Sequence, residues 1–269
     1  MAEEIESESR FVWKQLFFLV KLPFLLLMIL LKKRPVESVT APFKDLFLFI
    51  FEPKATIILI AINMAAFIFE IFYLGTDGVT SLAFRPSDIT SFNIIPIISS
   101  WFIHASWIHL LGNMLFLFVF GRIVEMKMGS FKMIFIYFGS AIISDLVSAF
   151  FGQGGIGASG AIAGLVSASI LISPFYFTYI IAGIPLPVLV VGWLAIIADI
   201  SGVLIPKDDN IGHFAHLGGY FAISMLVFLL GKEEKRKMFI GLMINLFFVG
   251  LMILLYYYLH IDLNAIPHA

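Results

Sequence analysis

Six residues, Gly155-Ile156-Gly157-Ala158-Ser159-Gly160, stand just ahead of a long apolar run. A serine hydroxyl among glycines is a common setting for a nucleophile. The mouth of an apolar helix is an unusual one. If Ser159 attacks a substrate, the reaction occurs at membrane depth, where water must be admitted and the substrate arrives from the bilayer. Taken alone, the segment reads better as a serine helix cap followed by close-packing glycines.

Two further clusters carry polar groups into apolar surroundings. In Trp101-Phe-Ile-His104-Ala-Ser-Trp-Ile-His109-Leu-Leu-Gly-Asn113, His109 and Asn113 are four residues apart and share a helix face. Both can donate hydrogen bonds, either between helices or to a developing oxyanion. In His213-Phe-Ala-His216-Leu-Gly218-Gly219, two histidines lie on nearly one face. His216 followed by two glycines suits a base packed tightly against another helix. A metal could also use the two histidines, but no His-Glu-x-x-His occurs, and the nearest carboxylates, Asp208 and Asp209, sit in a loop. No metal is therefore expected. The Gly-x-Gly-Asp of membrane aspartyl proteases is absent. Glu70, Asp145 and Asp199 are isolated acids within apolar segments, where a carboxylate either pairs with a neighbouring helix or marks an ion path.

The elements that must position these residues follow from composition. The chain has 269 residues, 61% hydrophobic and 13% charged, against about 45–50% and about 25% in soluble domains. Its mean hydropathy is +1.02. This is the composition of an all-α polytopic membrane protein. The net charge of -1 carries no nucleic-acid signal. With no cysteine, disulfides, Cys-ligated metals and thiol catalysis are excluded. The acidic opening MAEEIESESR predicts no cleaved targeting segment.

A span needs about 20 apolar residues. Helices are expected near 55–74, 102–121, 131–151, 159–177, 186–205, 213–231 and 238–259. An earlier stretch, Gln15 to Leu31, contains Lys21 and Pro23 and reads as interfacial or partly inserted. The segment Gly75 to Trp101 reads as a long apolar-tinged loop dipping into the outer leaflet. Lys32, Lys33, Arg34, Lys44 and Lys54 precede the first span, Arg122, Lys127 and Lys132 follow the second, and Lys232, Lys235, Arg236 and Lys237 follow the sixth. The opposite side carries little beyond Arg85 and Lys207. The positive-inside rule then makes 32–54 cytoplasmic and 75–101 external. That choice gathers Ser159, His104, His109, His213 and His216 toward the outer side.

Together these motifs resemble the rhomboid family of intramembrane serine proteases. His104…His109-x-x-x-Asn113 resembles the family's second core helix, Gly157-Ala158-Ser159-Gly160 its nucleophile motif on the fourth, and Ala215-His216-x-x-Gly219 its base motif on the sixth. Gly121-Arg-Ile-Val-Glu125, followed by Gly129, is similar to the turn after the second helix. The resemblance covers roughly 55–231. It implies three regions: 1–54, an N-terminal region with an apolar helix; 55–231, a six-helix catalytic core; and 232–269, a basic loop, an additional seventh helix and a tail.

The resemblance also implies a Ser159–His216 dyad without an acid partner. His109, Asn113 and the Ser159 backbone N–H would form the oxyanion hole. His104 would lie near the active-site mouth, with Gly157, Gly160 and Gly219 as structural neighbours. Two positions depart from the family pattern. Ala163 stands where an aromatic often packs on the catalytic histidine, so another group must hold the imidazole. Ile223 stands where a glycine usually completes a helix contact, with Gly218 and Ala222 as a shifted small-residue alternative.

The expected function is an intramembrane serine endopeptidase of the cell membrane. It would cleave single-span or other transmembrane proteins drawn from the surrounding lipid, with no cofactor and no nucleic acid. A non-catalytic client-binding relative and a small transporter relying on Glu70, Asp145 and Asp199 are the competing readings.

Overall fold

The computed structural model describes residues 2–181, 184–205 and 211–264; Lys207, Asp208 and Asp209 lie outside the described residues. Among the described residues, five helical segments are long and apolar enough to cross a membrane: Trp13–Leu30, Lys54–Leu82, Trp107–Met128, Ser130–Phe150 and Lys232–Tyr258. Three shorter apolar helices, Ser159–Ile172, Val188–Leu204 and His213–Leu229, lie among them. The chain is thus a helical multi-pass integral membrane protein.

Two helices precede the core, α1 (Ala2–Leu30) and α2 (Glu37–Phe51). They pack through the Phe11–Phe49 stack and the Phe18–Phe43 edge contact, with Lys14 reaching Asp45. Helix α3 (Lys54–Phe69) runs through a π turn at Glu70–Leu74 and ends where Gly75 takes φ 60°, a left-handed conformation that favours glycine. The first span was expected to end at 74; the helical segment changes conformation at Gly75 and continues to Leu82. The following segment is more ordered than a loop. It holds three short helices, α4 (Gly75–Leu82), α5 (Pro86–Thr90) and α6 (Ile94–Ser99). Asp88 caps α5 by accepting from the Arg85 backbone N–H at 2.8 Å.

The second span, α7 (Trp107–Met128), starts five residues later than expected, because Ser106 caps it by accepting from the His109 N–H. Residues 102–106 are consequently not helical. Helix α8 (Ser130–Phe150) follows after the positive-φ Gly129, and α9 (Ser159–Ile172) after a glycine-rich loop. The fourth span was expected to reach 177. It stops at Ile172, and the chain instead forms an antiparallel hairpin of β1 (Phe177–Ile181) and β2 (Ile184–Pro187). The remaining helices are α10 (Val188–Leu204), α11 (His213–Leu226, with one further 3-10 turn) and α12 (Lys232–Asn264).

The core is built around α9, whose residues from Gly160 to Ile170 are all buried. Small residues let its neighbours approach. A Cβ on Gly164 would collide with Ser140 of α8, and one on Gly218 would press on Val147 of α8. Gly218 therefore serves the α8 contact, while Gly219 is the residue that meets α9. Ala222 and Ile223 are buried beside them.

Away from the glycine-rich loop, Glu125 accepts from the Ala55 N–H (2.9 Å), the Thr56 N–H (2.8 Å) and the Thr56 and Ser130 hydroxyls (both 2.7 Å). It thereby satisfies donors at the open N-terminus of α3. Arg122 bonds the Phe49 carbonyl and Glu52 and lies over the Phe49 ring, tying α2 to α7.

Helix α12, whose place the sequence left open, packs on the core. Asn245 donates to the Ile170 carbonyl and accepts from Trp193 Nε1, each at 2.8 Å. Gly241 passes so close to Leu171 that a Cβ would collide with its backbone. Lys132 of α8 pairs with Glu234.

Candidate functional site

The loop ahead of Ser159 is held from outside. Phe84 and Gly155 exchange both backbone hydrogen bonds, at 3.1 and 3.0 Å, and the Gly157 N–H donates to the Ser100 carbonyl at 2.7 Å. Gly157 takes φ 114°, and a Cβ there would strike the His109 ring and press on Asn113 Nδ2. Glycine at 157 is thus needed twice, for its conformation and for the closeness of the two polar side chains.

Helix α9 has 14 residues and is roughly 21 Å long at about 1.5 Å per residue, short of a hydrocarbon core of about 30 Å. Such a helix does not by itself cross that core, and Ser159 stands at its first position. Access comes from a cavity of about 1190 Å³ lined by Ser159, His216, His109 and Asn113, together with Gly157 and Gly160. Ser144, Ser148, Asp145 and Gln153 give the cavity polar walls that suit water. Ser159 and His216 are half-buried. The Ser159 hydroxyl makes no hydrogen bond to a described residue.

The cavity's donors have defined directions. The Ala105 N–H donates to His109 Nδ1 at 3.4 Å, so the ring proton of neutral His109 resides on Nε2. That nitrogen is the one beside Gly157. Asn113 is buried, and its Nδ2 has no partner among the described residues. Two N–H donors thus stand beside the serine loop without an acceptor among those residues.

His216 is oriented from the other side. Its Nδ1 lies 2.8 Å from Asp199 Oδ1. An ionised carboxylate only accepts, so Nδ1 carries the proton and Nε2 keeps its lone pair. The expectation of a histidine without an acid partner is corrected here. Asp199 comes from α10, seventeen residues upstream, and is buried. The sequence flagged it as a costly intramembrane acid without assigning its partner. It also accepts from His213 Nδ1 and the Tyr220 hydroxyl, each at 2.8 Å.

Asp199, His213 and His216 bring their possible ligand atoms within 4.8 Å of one another. Both Nδ1 atoms nevertheless lie 2.8 Å from the same oxygen, closer than the roughly 3.3 Å kept by tetrahedral ligands about 2.0–2.1 Å from zinc. The cluster has the dimensions of hydrogen bonds rather than of a metal shell.

The other predicted residues fall nearby. His104 is not at the cavity mouth. It is buried, with its ring centroid 5.1 Å from that of His109, and its Nδ1 bonds the Phe102 carbonyl. Its backbone N–H donates to Glu70. Gly219 lies outside the cavity lining and forms the α9–α11 contact. Asp145 accepts from Trp101 Nε1 at 2.7 Å. Glu70, Asp145 and Asp199, the three acids singled out by the sequence, thus each accept from a nearby donor.

The sequence is similar to known proteins. A family profile described as Rhomboid domain matches residues 91–233, more than half of the 269-residue chain. "Rhomboid-like protein 11, chloroplastic" of Arabidopsis thaliana is 31% identical over 155 residues, covering 52% of this chain and 54% of its own. "RHOMBOID-like protein 6, mitochondrial" of the same plant is 33% identical over 149 residues, covering 52% and 47%. "RHOMBOID-like protein 1" is 32% identical over 129 residues, covering 47% and 32%. The chain spans about half the length, or less, of these curated relatives.

Proposed function

This chain belongs to the rhomboid family, and on that premise we propose that it is an intramembrane serine endopeptidase cleaving transmembrane segments of other membrane proteins. The observation that carries the reading is the shared cavity. Ser159, His216 and the two donors His109 and Asn113 all line it, with His216 Nδ1 held 2.8 Å from Asp199 Oδ1.

In this reading Ser159 Oγ attacks the scissile carbonyl carbon as its proton passes to His216 Nε2. The carbonyl oxygen becomes an oxyanion and accepts from His109 Nε2–H, Asn113 Nδ2 and the Ser159 N–H. The carbon–nitrogen bond then breaks, His216 returns the proton to the leaving amine, and water hydrolyses the acyl-enzyme. Ser159 and His216 share no hydrogen bond in the free protein. Catalytic hydrogen bonds are commonly long before substrate binds and shorten in the complex.

Substrates that fit a site below the membrane surface are helices carrying small or helix-breaking residues, since these unwind at least cost. We place 55–231 as the catalytic core, residues 32–54 in the cytoplasm and the cavity on the outer side of the cell membrane, following the lysine and arginine distribution.

The test is cleavage of a purified single-span substrate in liposomes. Wild type is expected to cut it and Ser159→Ala is not; equal behaviour of the two across several lipid compositions sinks the proposal. The missing Ser159–His216 bond favours one rival, a relative that binds membrane clients without cutting them. That rival predicts no fluorophosphonate adduct on Ser159.

A further inference from the structure

We infer that Asp199 is a positioning residue for His216, so that the site works as a Ser159–His216–Asp199 triad with its acid on a different helix from its base. This rests on the endopeptidase reading. Asp199 is 6% exposed, and its carboxylate is clasped by one stripe of α11: His213, His216 and Tyr220 stand at i, i+3 and i+7. Oδ1 takes both imidazole N–H donors and Oδ2 the phenol, each at 2.8 Å.

Three features make the arrangement specific. First, α10 is shaped to receive this stripe. Gly202, three residues beyond Asp199, lies where any Cβ would overlap the His213 ring, so only glycine lets that ring lie against α10. Second, position 163 offers no aromatic face to hold the His216 ring. Ala163 instead lies against Gly219, where its Cβ would be 2.8 Å from one placed on that glycine, so a ring would not fit without separating the helices. Asp199 supplies the orientation that a stacked ring would otherwise give. Third, Asp199 sits beside the nitrogen that must stay protonated, leaving the opposite nitrogen to receive the serine proton. The negative charge then faces the imidazolium as it forms. The acid keeps its charge throughout and takes no proton from the ring.

The experiment compares wild type, Asp199→Asn, Asp199→Glu and Tyr220→Phe as full-length protein in detergent. Four readouts are taken: melting temperature, fluorophosphonate labelling of Ser159, kcat and KM on a transmembrane-segment substrate, and the ring tautomer of His216 by nitrogen-15 NMR. Asp199→Asn is expected to lower kcat about 10²–10⁴-fold with little change in KM or melting temperature, by analogy with loss of the acid in a soluble serine protease triad. It is also expected to shift His216 toward the Nε2-protonated tautomer. Asp199→Glu regains part of the rate. Tyr220→Phe, which leaves Oδ1 and both imidazoles in place, keeps the His216 tautomer.

The inference is overturned if Asp199→Asn retains the wild-type rate and tautomer. It is equally overturned if its rate falls only in step with its melting temperature and Asp199→Glu restores nothing. If wild-type Ser159 takes no label, the endopeptidase reading fails instead, and the tautomer of His216 in Asp199→Asn alone decides whether Asp199 orients the ring.

Discussion

Gly219 of α11 passes the Gly160 carbonyl of α9 so closely that no side chain fits between them. The same glycine touches Ala163, one turn along α9. This contact sets the distance between the helix carrying Ser159 and the helix carrying His216. Gly219→Val forces backbone apart, since the obstruction is a carbonyl rather than a flexible side chain. Overpacking of this kind costs about 1–3 kcal/mol. A lower melting temperature and slower Ser159 labelling are expected, read by thermal unfolding and fluorophosphonate kinetics. Unchanged labelling would mean that the contact does not govern the site.

His109→Ala and Asn113→Ala each remove one donor beside the serine loop. Each is expected to lower kcat about 10²–10³-fold with KM little affected, because the donors act on charge that exists only in the transition state. Steady-state cleavage of a transmembrane substrate measures this. The double variant should lose less than the product of the two single effects, because both donors serve one oxygen.

Gly157→Ala combines a strained backbone at φ 114° with a collision against the His109 ring. It is expected to fold, because the loop remains tied through Gly155 and Ser100, yet to lose most Ser159 labelling. A fully active Gly157→Ala would show that the His109 ring is not fixed against this loop. Mass spectrometry of labelled protein gives the readout.

Glu125→Ala leaves the Ala55 N–H and the Thr56 N–H and hydroxyl without their acceptor in a buried setting. Each orphaned buried donor costs about 1–3 kcal/mol, so this variant should be among the least stable single substitutions in the protein. Thermal unfolding in detergent is the check. Glu125→Gln, which keeps an acceptor oxygen, should lose less.

Asn245→Leu removes the bonds to Trp193 Nε1 and the Ile170 carbonyl that fix α12 to the core. A loss of about 1–3 kcal/mol is expected, with α12 becoming more sensitive to limited proteolysis. Ser159 labelling of the protein that remains folded should persist, since Asn245 lies outside the cavity. Loss of labelling at full stability would give α12 a part in the chemistry.

Much of this protein is legible in its sequence because the membrane imposes simple rules. A span must be apolar over about 20 residues, and polar side chains within it must face protein or water. Those rules locate most of the long helices and single out Ser159, His109, Asn113 and His216 by type and spacing. They fail where the apolar pattern has two solutions. The run after Ile172 is as apolar as a helix but pairs as the hairpin Phe177–Ile181 with Ile184–Pro187. Hydropathy carries no record of strand pairing.

Asp199 marks the same boundary at the site. Residue types and spacing alone place a carboxylate in an apolar helix, where it needs a partner, and two histidines on one face of another helix. That these meet follows from how the helices pack. Gly219 lets α9 and α11 close to backbone contact and Gly202 lets the His213 ring lie against α10, which brings a carboxylate seventeen residues upstream to 2.8 Å from His216. Charge and residue type are written locally, whereas the distance between helices is the sum of every small side chain along their contact.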